Sequence, residues 1–236
     1  MLLLGGDIAD APSLLSWLEL LADRLAPLPI AFVLGNHDYY GGSIADTRAR
    51  VAALCERVPA LRWLPRSGPL PLGPKTVLVG HSGWGDGRLG DFLKTPIRLN
   101  DHVRIAELSG LPRRTLLERL HALGDEAAQS LDRQLQAAVA GGAETVLVLT
   151  HVPPYQSTCW HDGRTPPDDS PWLPDFTCGA TGALLDRWAQ QHPGLRLEVL
   201  CGHTHGAGET VIRDNLRVRT GGADYGSPGV AAVLEL

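Results

Sequence analysis

Five short apolar runs in this chain each stop at a residue able to bind a metal or move a proton. Leu2–Leu4 runs into Gly5-Gly6-Asp7, Ile30–Leu34 into Gly35-Asn36-His37-Asp38, and Thr76–Val79 into Gly80-His81. Thr145–Leu149 runs into Thr150-His151, and Leu195–Leu200 into Cys201-Gly202-His203-Thr204-His205. Runs this short, rich in leucine and β-branched residues, read as buried strands rather than helices. Helical spacing of apolar residues lies between them, over Pro12–Leu25, Ser43–Val58 and Gly182–Gln191. Arg113–Leu123 and Asp125–Ala140 read as a helical pair broken at Gly124. Strands and helices alternate early, and mostly strands follow Glu198, so the expectation is α/β, with sheets flanked by helices. Polar groups just beyond the carboxyl ends of buried strands gather along one sheet edge, where such folds place their chemistry.

The bulk composition narrows the function. The chain has 236 residues, 44% of them hydrophobic and 20% charged, which suits a globular protein with a substantial core. No repeat, low-complexity tract or composition shift marks a linker, so 1–236 reads as a single domain. A formal charge of -5 argues against a nucleic-acid groove, which needs a basic stripe. No segment approaches the roughly 18–20 apolar residues of a membrane span, and nothing reads as a signal peptide. Four cysteines at irregular spacings are expected to be reduced thiols, which points to the cytoplasm.

Asp7, Asn36, His151, His203 and His205 are the donors collected at the strand ends. Carboxylate, amide oxygen and imidazole together suit borderline divalent ions such as Mn, Fe or Zn. Each has a bland reading beside this one. Asp7 resembles a turn residue or helix cap, Asn36 beside glycine a left-handed turn residue, and His151 the cap of a strand. Independent turn residues would not take these types, in this order, at successive strand ends. In extended backbone His203 and His205, two apart, would share one face. The Asp7 carboxylate could bridge a metal pair roughly 3.5–4 Å apart.

Taken in order, Gly6-Asp7, Gly35-Asn36-His37-Asp38, Thr150-His151 and Gly202-His203-Thr204-His205 resemble the motif set of the calcineurin-like metallophosphoesterases. The 29 residues from Asp7 to Asn36 (36 − 7) leave room for one helix and one strand, as in that family. The resemblance implies a four-layer αββα sandwich of two mixed β-sheets flanked by helices, with the family's first strand absent. It implies that Asp7 bridges two metals, that Asn36, His151 and His203 complete one site, and that His205 belongs to the other. It makes His37 the group over the substrate phosphate, acting on the leaving oxygen, with Asp38 orienting and charging it. The chemistry implied is in-line attack of a metal-bound hydroxide on a small phosphomonoester or phosphodiester.

Further residues are candidates for the substrate pocket. His81 and Asp86 follow a strand, and Cys159 and His161 lie in a proline-rich loop from Val152 to Cys178 that is expected to roof the site. One departure from the family pattern is large. The family opens with a strand ending in Asp-x-His, and only six residues precede Asp7 here. The expectation is therefore a functional protein that begins upstream, and one metal rather than two in this chain. A catalytically silent scaffold of the same fold is the competing reading, and a repair-type nuclease is disfavoured by the acidic charge.

Overall fold

The computed structural model describes residues 1–235. Its elements run β1 (Leu2–Leu4), α1 (Leu14–Arg24), β2 (Ile30–Phe32), α2 (Ile44–Arg57), β3 (Leu61–Trp63), α3 (Leu64–Ser67), β4 (Leu70–Pro71) and β5 (Thr76–Gly80). They continue with α4 (Asp101–Arg104), α5 (Arg113–Ala140), β6 (Thr145–Leu149), α6 (Leu173–Phe176), α7 (Gly179–Gln191), β7 (Arg196–Cys201), β8 (Gly208–Arg213) and β9 (Leu216–Thr220). Among the described residues no helix is long and apolar enough to cross a membrane.

The strands form two sheets, one in the order β1-β2-β3 and one in the order β4-β5-β6-β7-β9-β8. Strand alternation explains how they stack. In β2, Ile30 and Phe32 face a core shared with Leu14 and Leu18 of α1 and Val51 and Leu54 of α2. Ala31 and Val33, half a pleat away, meet Leu78 of β5 and Leu147 and Leu149 of β6 from the other sheet. In β6 the alternate residues Val146 and Val148 pack instead beneath Leu131 and Leu135 of α5 and Leu184, Leu185 and Trp188 of α7. The layers are therefore helix, sheet, sheet, helix, the four-layer α/β sandwich expected.

Two expectations need correction. Only the six-stranded sheet is mixed. The smaller one is parallel throughout, because α1 and α2 return the chain to the same end before each new strand. The helical pair at Gly124 is one continuous helix, α5, of 28 residues. Gly124 is there for room, since a Cβ at that position would collide with the Asp86 side chain 2.6 Å away.

Local chemistry sets the helix starts. Ser43 caps α2 by accepting from the Asp46 amide at 3.2 Å. Glu107 adds its carboxylate to the amides of Ile44 and Ala45 at 2.8 and 2.9 Å, an anion on a helix N-terminus. Asp86 does the same for α7, accepting from the amides of Gly179 and Ala180.

Candidate metal centre

Register brings the donors together. Parallel pairing of Leu4 with Phe32 ends β1 and β2 side by side, so Asp7 and Asn36 emerge next to each other. Pairing of Leu149 with Leu200 does the same for His151 and His203. The two sheets then meet at this edge, where the His151 Nδ1–H donates to the Gly5 carbonyl at 2.8 Å. Glycines make the approach possible. A Cβ on Gly35 would overlap the Asp7 carboxylate, and one on Gly6 would fall 2.7 Å from His151 Nδ1.

The backbone is strained at the same place. Asp7, His203 and His205 have φ values of 53°, 68° and 64°, in the left-handed region that side chains avoid. Asp162 is the other non-glycine residue with positive φ. Strain of this kind costs about 1–3 kcal/mol per residue and collects where function needs an exact side-chain placement. It also corrects the extended-backbone picture of His203 and His205. The chain reverses just after β7, which separates the two imidazoles. His203 turns in toward His151, and His205 turns out to the rim against Tyr225.

Asp7, His151 and His203 each offer a ligand atom, all within 4.8 Å of one another. His151 Nε2 lies 3.4 Å from Asp7 Oδ2, 3.1 Å from Asn36 Oδ1 and 3.2 Å from His203 Nδ1. The outer partners fix which atoms carry hydrogen. His151 spends its Nδ1–H on Gly5, and His203 donates Nε2–H to the Asp175 carbonyl at 3.2 Å. The Asn36 NH₂ points away, donating to Tyr40 Oη at 3.1 Å and Asp101 Oδ1 at 2.8 Å. Four lone-pair donors are thus left facing one point. Donors held at about 2.0–2.2 Å from one ion stand roughly 3.3–3.6 Å apart in a tetrahedral shell and roughly 2.8–3.1 Å apart in an octahedral one. The separations from His151 Nε2, 3.1, 3.2 and 3.4 Å, fall inside that interval, so the residues fit a divalent cation.

Electrostatics agree. Burial opposes ionisation of Asp7, yet the imidazoles of His151, His37 and His203 outweigh it and hold the carboxyl well below its ordinary range. Burial likewise opposes a charge on His151, and Asp7 overrides it and raises the His151 pKa. Burial, helped by His151, lowers His203 to about 4 and keeps it neutral. The Asp7 carboxylate thus draws positive charge into the cluster, as the raised His151 pKa shows.

The remaining sequence candidates divide sharply. His37 gives its backbone amide to Asp7 Oδ1 at 2.9 Å, but its ring lies outside the donor set, stacked on Tyr40 with centroids 4.5 Å apart. Asp38 does not pair with His37. Fully buried, it accepts from the amides of Ile8 and Ala9 at 2.8 Å and of Gly35 at 2.7 Å, fastening the two strand ends together. Burial and the neighbouring Asp7 charge push it up to about 7 against the pull of those amides. Asp38→Ala is therefore expected to lower stability by about 3 kcal/mol or more in denaturant unfolding, since each orphaned amide costs about 1–3 kcal/mol. A variant as stable as the parent but slow in turnover would restore the orienting role.

His81 and Asp86 do not open onto the donor cluster through their polar atoms. His81 is buried, accepts from the Gly83 amide at 3.3 Å, and is driven by desolvation to about 3. Asp86 caps α7 and pairs with Arg88 at 2.9 Å. The Cys159 thiol is buried against the carbonyls of Tyr155 and Phe176, and burial raises its pKa. His161 stays at the rim, donating from Nδ1 to the Thr204 carbonyl at 2.9 Å between the two histidines of the motif. The proline-rich loop does roof the cluster, because the Phe176 ring meets His203 edge-on at 5.2 Å.

Three contributors went unread in the sequence: Tyr40, Asp101 and Asp175. Tyr40 lies four residues after Asn36 in the same motif, which was a usable signal. Asp101 and Asp175 carry none, being brought in by tertiary structure. Asp101 accepts from both Tyr40 Oη, at 2.6 Å, and the Asn36 amide, so it decides which end of that amide faces the donors. Loss of such an outer partner typically costs about 10–100-fold in metal affinity. Asp101→Ala should weaken Mn²⁺ binding by about that factor in a chelator competition, and Asp101→Asn, which keeps an acceptor, should weaken it less. Unchanged affinity in Asp101→Ala would mean that the amide is oriented by something else.

Residues 1–207 match the calcineurin-like phosphoesterase family. No curated protein matches the chain. Among solved structures, a dimetal phosphatase from Danio rerio superposes with a TM-score of 0.52 at 15% identity, over 92% of this chain and 70% of that one. A UDP-glucose 4-epimerase from Thermus thermophilus reaches a TM-score of only 0.27 at 13% identity, over 85% of this chain and 54% of that one, too weak a likeness to carry argument.

Proposed function

Because this chain belongs to the calcineurin-like phosphoesterase family, we propose that it is a metal-dependent phosphoric ester hydrolase acting on a small phosphomonoester or phosphodiester. The observation that carries the reading is the convergence of Asp7, Asn36, His151 and His203 lone pairs, with every competing hydrogen turned outward. A divalent cation bound there supplies Lewis-acid polarisation of the phosphoryl oxygen and a lowered water pKa.

The chain's own groups do the rest. Asp101 and Tyr40 hold the Asn36 oxygen toward the donors, while Gly5 and Asp175 hold the two imidazoles in the ligating tautomer. His37 stands beside the donors without joining them, its ring steadied by Tyr40 rather than by a carboxylate. Its role is to hydrogen-bond or protonate the leaving oxygen of the ester. Phe176 of the proline-rich loop lays its ring edge-on against the His203 imidazole and covers part of it.

His205 reaches the rim, not the cluster, and among the described residues one group of three or more His, Cys, Asp or Glu donors can hold an ion. This cluster is the tight divalent site of the proposal, and its donors suit an ion of the Mn, Fe or Zn type. Metal titration followed by a panel of phosphomonoesters and phosphodiesters tests the proposal, with turnover expected to need the added ion and to stop with chelator. Tight metal binding without hydrolysis of any ester would favour the silent scaffold instead.

A further inference from the structure

The aromatic side chains around the cluster form two chains that end in solvent. On one flank His203 meets Phe176 at 5.2 Å, and Phe176 meets Trp172 at 5.3 Å, whose residue exposure is 42%. On the other, Tyr40 stacks on His37, and His37 lies nearly parallel to Tyr225, with 10° between the planes and 6.1 Å between centroids. Tyr225 also meets His205 edge-on at 4.8 Å, yet it is 76% exposed.

The loop that carries Tyr225 is tied down rather than loose. After β9 the Gly221 amide donates to Cys201 at 2.8 Å and the Ala223 amide to His205 at 3.1 Å, so the loop runs beside the histidine motif. A turn then closes from Asp224 to Ser227, with a 3.1 Å bond between them and Gly226 at φ 74°. A left-handed residue there favours glycine, and the residue before it takes the turn's first central position. That residue is Tyr225. A lone exposed aromatic ring on a surface needs no explanation. One fastened by its backbone next to His205 and set parallel to His37 is a different matter, since the turn itself would accept many side chains.

We infer that Tyr225 is a specificity-determining residue, whose ring forms an aromatic wall for a planar, aromatic group carried on the leaving oxygen of the phosphoester. The inference rests on the hydrolase reading, in which His37 attends that oxygen. A planar group bonded to it extends outward along the His37–Tyr225 side, where parallel rings offer stacking surface. Stacking on an aromatic face depends on the ligand's π-system, whereas a saturated ring of equal size gains burial alone.

The decisive comparison is between benzyl and cyclohexylmethyl groups, six-membered rings of similar size of which only the first is aromatic. With the Mn²⁺-loaded chain, benzylphosphonate should bind about 5-fold or more tighter than cyclohexylmethylphosphonate by calorimetry. Tyr225→Phe should keep that preference, and Tyr225→Leu should reduce it to under about 2-fold. Equal binding of the two phosphonates by the parent chain, binding of neither, or a preference untouched in Tyr225→Leu would each overturn the inference. Phosphonates cannot be hydrolysed, so binding is read apart from chemistry. A benzyl preference in binding, with no hydrolysis of either corresponding phosphate ester, would uphold the subsite and sink the hydrolase reading.

Discussion

Replacing His203 by alanine should weaken divalent-metal binding by more than about 100-fold, since loss of even an outer-shell partner costs about 10–100-fold. The Nδ1 of His203 is one of the four convergent donors, 3.2 Å from His151 Nε2. The backbone gives this test an internal control. His203 sits at φ 68°, which costs an alanine about 1–2 kcal/mol and a glycine almost nothing. His203→Gly should therefore be more stable than His203→Ala by about 1 kcal/mol, while both fail to retain Mn²⁺ after gel filtration. Retention of a stoichiometric ion by either variant would remove His203 from the donor set. A reversed stability order would show that the left-handed conformation belongs to the imidazole contacts and not to the chain reversal.

The strand ends were legible because two local signals coincided there, an apolar run and an abrupt change to a polar donor. The runs at Thr145–Leu149 and Leu2–Leu4 reappear as β6 and β1 with the same bounds. Parallel register sets Asp7 beside Asn36 and His151 beside His203, and the stacking of the two sheets then joins the pairs into one cluster. What the sequence hid was tertiary. Asp38 reads as a partner of His37 by adjacency, but its carboxylate faces three amides from two strand ends that only the folded sheet aligns. Asp86 reads as a pocket residue because it follows a strand, yet it caps a helix that begins 93 residues later. Gly124 reads as a helix break, and becomes a close-approach site only when Asp86 is packed against α5. His203 and His205 share a face in an extended strand, and the reversal that separates them needs two left-handed residues that no periodicity announces.

His37→Ala should lower turnover by about 10²–10⁴-fold while leaving metal affinity within a factor of about two, because a general acid acts in the transition state and not in the ion's shell. The structure separates the two roles unusually cleanly. The link from His37 to Asp7 runs through its backbone amide, which any residue except proline supplies, so truncating the ring leaves the donor set intact. Its ring contacts are aromatic, with Tyr40 at 4.5 Å and Tyr225 at 6.1 Å, and neither ligates an ion in the arrangement described. The assay is kcat on the best phosphoester alongside chelator-competition affinity for Mn²⁺, in the parent chain, His37→Ala and His203→Ala. Turnover should fall in both variants, and affinity only in His203→Ala. If His37→Ala lost metal as severely as His203→Ala, the imidazole would have to swing into the donor set on metal binding, and the division between a holding group and a proton-moving group would fail.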